Sequence, residues 1–205
     1  SFLHGRLRDI LCIVMDYADG GDLSSCLRAR NGRLIEEETI LNWLVQITLA
    51  LKHIHDRKIL HRDLKTQNIF LSRSRVVKLG DFGIAKVLGS TTDLARTAIG
   101  TPYFMSPEIC LEKPYNHKSD MWSLGCVLYE MTCLRRAFDG SSMRLLVMKI
   151  TSQEPRPISS SFSSGLRSLL SQLLRKDPRA RPSAGLILRR PLMKERIGRF
   201  LSEAQ

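Results

Sequence analysis

The chain has 205 residues, of which 43% are hydrophobic and 25% are charged, and its formal net charge is +12. This composition supplies the core of one well-packed domain and excludes a disordered tail protein. No apolar run approaches the roughly 18 residues that a membrane span requires, and the N-terminal residues lack the apolar stretch of a signal peptide. We therefore expect a soluble, cytoplasmic protein with no membrane insertion.

The cysteines and the distribution of charge exclude further classes of protein. Five cysteines, an odd number with no C-x-x-C pair, predict neither a disulfide framework nor a zinc site. From Phe162 onward ten Lys or Arg residues stand against three acids, which gives this segment +7 of the net charge. Because aromatic residues are only 6% of the chain and no nucleic-acid motif is present, we expect a solvated basic surface and no nucleic-acid partner.

The first 80 residues predict a strand, two helices and a small sheet. Residues 11–15 form an apolar, partly β-branched run that predicts a buried strand, and residues 23–30 predict a short helix that ends at Asn31 and Gly32. Residues 36–56 predict a core helix, because apolar side chains recur at steps of four and three. Its stripe consists of Ile40, Leu44, Ile47, Leu51 and Ile54. Short β-type runs at residues 69–71 and 76–79 predict a small sheet.

The remaining residues predict a long loop followed by helices. Residues 84–106 are rich in Gly, Ser, Thr and Ala without periodicity, which indicates a functional loop. Residues 119–133 are apolar nearly all round and predict a buried helix. Further helices are expected at residues 142–150 and 166–174, and Ser183 is a plausible N-cap for one more. No internal repeat and no second domain are evident.

Two motifs carry the chemistry. The sequence HRDLKTQN spans residues 61–68 and DFG spans residues 81–83, so that 18 residues separate Asp63 from Asp81. Phosphoryl transfer from ATP requires metal ions that neutralise phosphate charge and a carboxylate that orients the attacking hydroxyl. We expect Asp63 to orient that hydroxyl and Lys65 to stabilise the transferring group, while Asn68 and Asp81 bind Mg²⁺.

The motifs resemble those of a eukaryotic serine/threonine protein kinase, most closely the NIMA-related kinases. The resemblance rests on IVMDYADGGDL at residues 13–23, KTQN at 65–68, KLGDFGIA at 78–85, GTPYFMSPE at 100–108 and KERIGRFL at 194–201. It implies an α+β, protein-kinase-like fold whose mostly helical C-lobe carries a small β-sheet at the catalytic loop. No G-x-G-x-x-G and no V-A-I-K-like strand precede Asp63, so most of the N-lobe is expected to be absent. The implied domains are an N-lobe remnant at residues 1–17, the hinge and C-lobe at 18–191, and a basic C-terminal tail at 192–205.

The resemblance also implies cofactors and their ligands. ATP with Mg²⁺, or with Mn²⁺, is the expected cofactor, and proteins with Ser or Thr hydroxyls are the expected substrates. Met15 would stand behind the adenine, which backbone groups of Asp16 and Ala18 would bind, and Asp22 would bind the ribose or cap a helix. Phe70 would form the floor under the base. The full set of ATP-contact residues is Met15, Asp16, Ala18, Asp22, Gln67, Phe70 and Gly80.

Other residues are expected to support the site or to regulate it. His61 would pack in the core, Asp120 would brace the catalytic-loop backbone, and Glu108 with Arg181 would form a buried ion pair. Arg62 would pair with a phosphate on Thr97, and Thr101 would contact Asp63 and Lys65. The other histidines, namely His4, His53, His55 and His117, are expected to be surface or capping residues.

Two alternatives to a Ser/Thr kinase remain at this level. One is a catalytically inactive, kinase-like binding or scaffold module, because the Gly-rich loop and the ATP-binding Lys are missing. The other is a small-molecule phosphotransferase, against which the peptide-positioning segments at residues 100–103 and 106–108 argue. Cytoskeletal, ciliary or nuclear association follows only from the resemblance, and the sequence does not predict an oligomeric state.

Overall fold

A computed structural model describes residues 3–7, 10–14, 17–73, 76–80 and 103–203. Over these ranges the chain is mostly helical, as predicted, and it contains two short antiparallel sheets. The elements are β1 (Leu3–Leu7), β2 (Ile10–Val14), α1 (Leu23–Arg28), α2 (Glu37–Asp56), β3 (Ile69–Leu71), β4 (Val77–Leu79), α3 (Pro107–Cys110), α4 (His117–Cys133), α5 (Met143–Ser152), α6 (Ser164–Leu173), α7 (Ala184–Leu188) and α8 (Pro191–Glu203). Single 3₁₀ turns lie at Thr66–Asn68 and Pro178–Ala180.

Both sheets are two-stranded. In the first, Leu3 lies opposite Val14 and Leu7 opposite Ile10, so the strand predicted at residues 11–15 is confirmed with a shift of one residue. In the second, Ile69 lies opposite Leu79, which confirms the small sheet predicted beside the 61–68 loop. This second sheet is the one that positions the site.

The helix starts follow from their caps. Helix α4 begins two residues earlier than predicted, because the Asn116 side chain accepts a hydrogen bond from the backbone N–H of Lys118 at 2.7 Å. The Ser119 hydroxyl in turn accepts from the backbone N–H of Asn116, which completes a capping box. Ser183 is confirmed as an N-cap, since its hydroxyl accepts from the backbone N–H of Leu186 at 3.3 Å.

Helix α4 lies at the centre of the core. Its apolar side chains are buried on every side, as the all-round apolar pattern predicted, and it packs against α2 and α6. Fully buried members include Met121, Trp122, Leu124, Val127 and Leu128, each with 0% exposure. The predicted apolar stripe of α2 is also buried. Burial of this kind is the main favourable contribution to folding, about 25 cal/mol for each Å² of apolar surface.

Two helices escaped the sequence-based prediction. Helix α3 has four residues, which is too short to show a helical period. Helix α8 lies where a basic tail was expected and packs against α2 and α7. Its Met193 is fully buried, while Arg199 pairs with Glu38 of α2 at 3.0 Å. Among the described residues no helix combines the length and the apolar character that crossing a bilayer requires.

Candidate active site

The loop at residues 61–68 is attached to helix α4 through Asp120. The backbone N–H groups of His61 and Arg62 donate to the two carboxylate oxygens of Asp120, each at 3.1 Å. His61 and Asp120 are both fully buried. These two bonds fix the backbone immediately before Asp63, so the predicted bracing role of Asp120 and the core position of His61 are confirmed.

Asp120 receives two further hydrogen bonds that the sequence did not predict. The Tyr115 hydroxyl donates to Oδ1 at 2.5 Å, and Nε2 of His55 lies 2.7 Å from Oδ2. Burial raises the pKa of Asp120, but the bonds from His55, Tyr115 and the loop backbone outweigh it and hold the pKa below its usual range. The carboxylate therefore stays ionised near neutral pH.

The expectation that His55 is a plain surface or capping residue is wrong. Its side chain is only 10% exposed, because the last turn of α2 faces the start of α4. The partners His55 and Asp120 are 65 residues apart in the chain, and Tyr115 lies in an irregular segment before α4. No local pattern in the sequence connects these three side chains, so only the tertiary structure could identify them.

Three of the four predicted catalytic residues meet in the loop. Oδ2 of Asp63 accepts from the Lys65 ammonium at 2.7 Å and from the Asn68 amide at 2.9 Å. The same Asn68 amide donates to the backbone carbonyl of Asp63 at 2.9 Å. The Asp63 side chain is 50% exposed, whereas Asn68 is buried. The arrangement presents a carboxylate to solvent while an amide and an ammonium hold it in place.

The segment predicted to bind the adenine and ribose lies beside the strand that carries Phe70. The backbone N–H of Gly20 donates to the carbonyl of Leu71 at 2.9 Å, and the N–H of Leu71 donates to the carbonyl of Gly21 at 2.8 Å. Asp22 forms a β-bridge with Phe70. These bonds place residues 20–22 alongside β3, so Asp22 and Phe70 are neighbours.

Gly80 joins the floor to the catalytic loop. Its backbone N–H donates to the carbonyl of Asn68 at 3.0 Å. A Cβ atom at Gly80 would lie 2.6 Å from Cε2 of Phe70, closer than real Cβ contacts. Phe70 and Gly80 are therefore neighbours, and the absence of a side chain at Gly80 is what allows the ring of Phe70 to occupy its position.

Asp22 caps helix α1. Its Oδ1 accepts from the backbone N–H of Ser25 at 2.8 Å, and its Oδ2 accepts from the Ser25 hydroxyl at 2.7 Å. Desolvation raises the pKa of Asp22, but the bonds from Ser25 and the charge of Arg28 outweigh it and lower the pKa. The N-cap alternative is thus confirmed, and the ribose contact stays a prediction.

The other predicted site residues divide into described and undescribed ones. Met15, Asp16, Asp81, Thr97 and Thr101 lie outside the described residues. Arg62 is exposed and has a left-handed backbone with φ of 66°. Gln67 is exposed, and its Oε1 lies 3.4 Å from the Thr66 hydroxyl.

The predicted ion pair between Glu108 and Arg181 is confirmed. The guanidinium donates to both carboxylate oxygens at 2.8 Å, and both residues are buried. The Ser119 hydroxyl donates to the same carboxylate at 2.7 Å. Burial alone raises the pKa of Glu108, but these hydrogen bonds outweigh it and lower the pKa. The pair joins α3 to α4 and to the segment after the second 3₁₀ turn.

The mostly helical fold, with a carboxylate, an amide and an ammonium in one braced loop, agrees with the kinase-like motif at residues 61–68. Residues 5–193 match the protein kinase domain family, and the chain belongs to that family. The sequence-based assignment of the family and fold is confirmed.

Similar curated proteins include Nek kinases, as the NIMA-related resemblance predicted. The chain is 59% identical over 192 residues to serine/threonine-protein kinase Nek1 of Mus musculus. This alignment covers 94% of the chain and 16% of Nek1. It is 56% identical over 193 residues to serine/threonine-protein kinase Nek5 of Homo sapiens, covering 94% of the chain and 27% of the relative. A probable serine/threonine-protein kinase nek3 of Dictyostelium discoideum is 49% identical, with 94% of the chain and 18% of the relative covered. The chain thus spans less than a third of the length of each of these relatives.

Proposed function

We propose that the protein is a serine/threonine protein kinase that transfers the γ-phosphoryl group of ATP to hydroxyl groups of protein substrates. The observation that carries this proposal is the geometry of the loop, in which Lys65 and Asn68 both bind Oδ2 of Asp63. The names of the Nek relatives support the same activity. Protein substrates with Ser or Thr side chains are the proposed partners.

Asp63 is the proposed residue that orients the attacking hydroxyl. Its half-exposed carboxylate can accept the hydrogen bond of a substrate hydroxyl, which aligns the oxygen for in-line attack. The Lys65 ammonium lies beside the same carboxylate, where its charge would stabilise the transferring phosphoryl group. Both tasks require positioning rather than covalent chemistry, in keeping with the mechanism of phosphoryl transfer.

The donor set of the loop fits a magnesium ion. Because the Asn68 amide nitrogen is held by Asp63, its Oδ1 is oriented away from that carboxylate as an oxygen donor. Oxygen ligands suit Mg²⁺, and Mn²⁺ accepts the same set. Asn68 and Asp81 would hold the metal, and when bound it neutralises charge on the phosphates. Ala18, Asp22, Gln67, Phe70 and Gly80, with Met15 and Asp16, would bind the nucleotide.

Regulation by phosphorylation is a further part of the proposal. Arg62 is exposed while Asp120 fixes its backbone, which suits it to bind a phosphate on the activation segment. Thr97 is the proposed acceptor, and Thr101 the proposed contact of Asp63 and Lys65. A cytoplasmic location is proposed on the strength of the family alone.

A kinase assay tests the proposal directly. The complete protein is incubated with radiolabelled ATP, Mg²⁺ and casein, beside an Asp63→Asn variant of equal melting temperature. Label transfer that Asp63→Asn reduces by more than tenfold supports the proposal. Equal transfer by both proteins would refute the role of Asp63, and no transfer by either, with a folded protein, would favour the alternative of an inactive binding module.

A further inference from the structure

The catalytic loop has a second attachment to helix α4. The Thr66 hydroxyl donates to Oε2 of Glu130 at 2.9 Å. Thr66 is fully buried, and Glu130 lies one turn before the end of α4 at Cys133. Asp120, ten residues earlier in the same helix, holds the start of the loop. At about 1.5 Å rise per residue the two attachments are about 15 Å apart along the helix.

The two attachments bracket the reacting carboxylate. Asp120 holds the backbone just before Asp63, and Glu130 holds Thr66 just after Lys65. Thr66 also begins the 3₁₀ turn that ends at Asn68. A displacement of Thr66 would therefore move Lys65 and Asn68, the two side chains that bind Asp63.

We propose that Thr66 and Glu130 form a positioning pair that sets the geometry of Lys65 and Asn68 around Asp63. This inference rests on the proposed kinase function and extends it to two residues that do not touch the reacting groups. Misplacement of reacting groups by about 1 Å can cost about a hundredfold in rate, so a hydrogen bond outside the site can control turnover.

The environment of Glu130 favours a hydrogen bond to a neutral donor. Burial raises the pKa of Glu130, and the Thr66 bond and the charge of Arg136 counteract it only in part. A hydroxyl can donate to an ionised carboxylate and also to the carbonyl oxygen of a protonated one. Arg136, three residues after the end of α4, lies 3.3 Å above the ring centroid of Tyr103, so the segment that follows α4 contacts Tyr103.

Thr66 variants test the pair in the complete protein. Thr66→Val keeps the shape of the side chain and removes the donor, so we expect kcat to fall at least about tenfold while the KM for ATP changes less than about twofold. Thr66→Ser retains the hydroxyl and should restore most of the kcat. The matched control is Thr48→Val, because Thr48 is equally buried but donates within α2 to the carbonyl of Leu44.

Glu130 variants separate the hydrogen bond from the charge. Glu130→Gln keeps an acceptor oxygen and should stay within about threefold of wild type, whereas Glu130→Met should match Thr66→Val. The double variant of Thr66→Val and Glu130→Met should lose no more than the worse single variant, because both remove the same bond. Equal losses for the Gln and Met variants would overturn the assignment to a hydrogen bond.

Hydrogen exchange supplies a readout that needs no activity. In Thr66→Val the amide of Asn68, which donates to the carbonyl of Lys65, should exchange at least about tenfold faster than in Thr48→Val. An unchanged exchange rate, or a folded and active Thr66→Val with more than half the wild-type kcat, would overturn the inference. An inactive wild type would refute the proposed function, and exchange would then still decide whether the pair holds the loop.

Discussion

Replacing Glu108 by alanine should destabilise the folded protein by about 3–5 kcal/mol, the cost of removing one partner of a buried ion pair. The structure explains why the loss is large. The Arg181 guanidinium is 1% exposed and uses its N–H groups on Glu108 and on three backbone carbonyls. It cannot lose its proton, so without Glu108 it remains a buried charge that is hydrogen-bonded to neutral carbonyls.

Urea and thermal unfolding of the complete protein measure this loss. With an m-value of about 2 kcal/mol/M, the midpoint in urea should fall by about 2 M. Asp56→Ala is the matched control, because Asp56 pairs with Lys52 at 2.5 Å on the surface, and its midpoint should equal that of wild type. A loss below about 1 kcal/mol for Glu108→Ala would refute the reasoning, since it would mean that water or a rearrangement compensates Arg181.

The same pair should make stability depend on pH in the acid range. Folding lowers the pKa of Glu108 from its ordinary value of 4.5. As the pH falls, the unfolded chain therefore takes up a proton at a higher pH than the folded protein does. The contribution of the ionised Glu108 to folding stability is therefore complete above about pH 4.5, and it is lost as the pH falls through the lower pKa of the folded state. Glu108→Gln should flatten this part of the pH profile, and an unchanged profile would contradict the ionised pair.

The remaining predictions concern the site. Asp63→Asn should reduce casein phosphorylation by more than tenfold with the melting temperature unchanged, and retention of more than a tenth of wild-type turnover would contradict its role. Thr97→Ala should lower activity and Thr101→Ala should nearly remove it; mass spectrometry that finds Thr97 unmodified in active enzyme would count against the first half. Gly20→Ala should weaken nucleotide binding measured by calorimetry, because a Cβ there would lie 2.6 Å from the carbonyl oxygen of Leu71. The 205-residue chain alone should turn over ATP far more slowly than the complete protein, since it lacks a Gly-rich loop over the phosphates; equal rates would contradict this.

The sequence predicted those helices whose apolar periodicity or N-cap residue lies within the helix itself or directly before it. The apolar stripe of α2 and the all-round apolar character of α4 can each be recognised within one stretch of sequence. Ser183, as a predicted N-cap, indicated the start of α7. Helix α3 was missed because one turn shows no period. Helix α8 was missed because its basic side chains outnumber its buried ones, such as Met193, and its contacts with α2 and α7 are what make it a packed helix.

Contacts between residues far apart in the sequence were predicted in some cases and missed in others. Glu108 and Arg181, 73 residues apart, were predicted because the family resemblance assigns a role to both. His55 was misassigned, and the Thr66 and Glu130 pair was not predicted at all. The His55–Asp120 and Thr66–Glu130 pairs form because α2, the loop and α4 pack together. A single sequence does not indicate which distant side chains will contact each other.

The buried polar groups of α4 explain how a loop can hold a site precisely. A helix surrounded by apolar side chains can keep a carboxylate only where hydrogen bonds compensate its burial. Asp120 and Glu130 meet this condition by accepting hydrogen bonds from the catalytic loop, and the buried Ser119 hydroxyl donates to Glu108. Moving the loop would therefore leave buried oxygens without these donors, at about 1–3 kcal/mol each. Because desolvation makes the loss of these hydrogen bonds unfavourable in free energy, the loop stays attached to α4. Asp63, which lies between the two attachments, is thereby held in position.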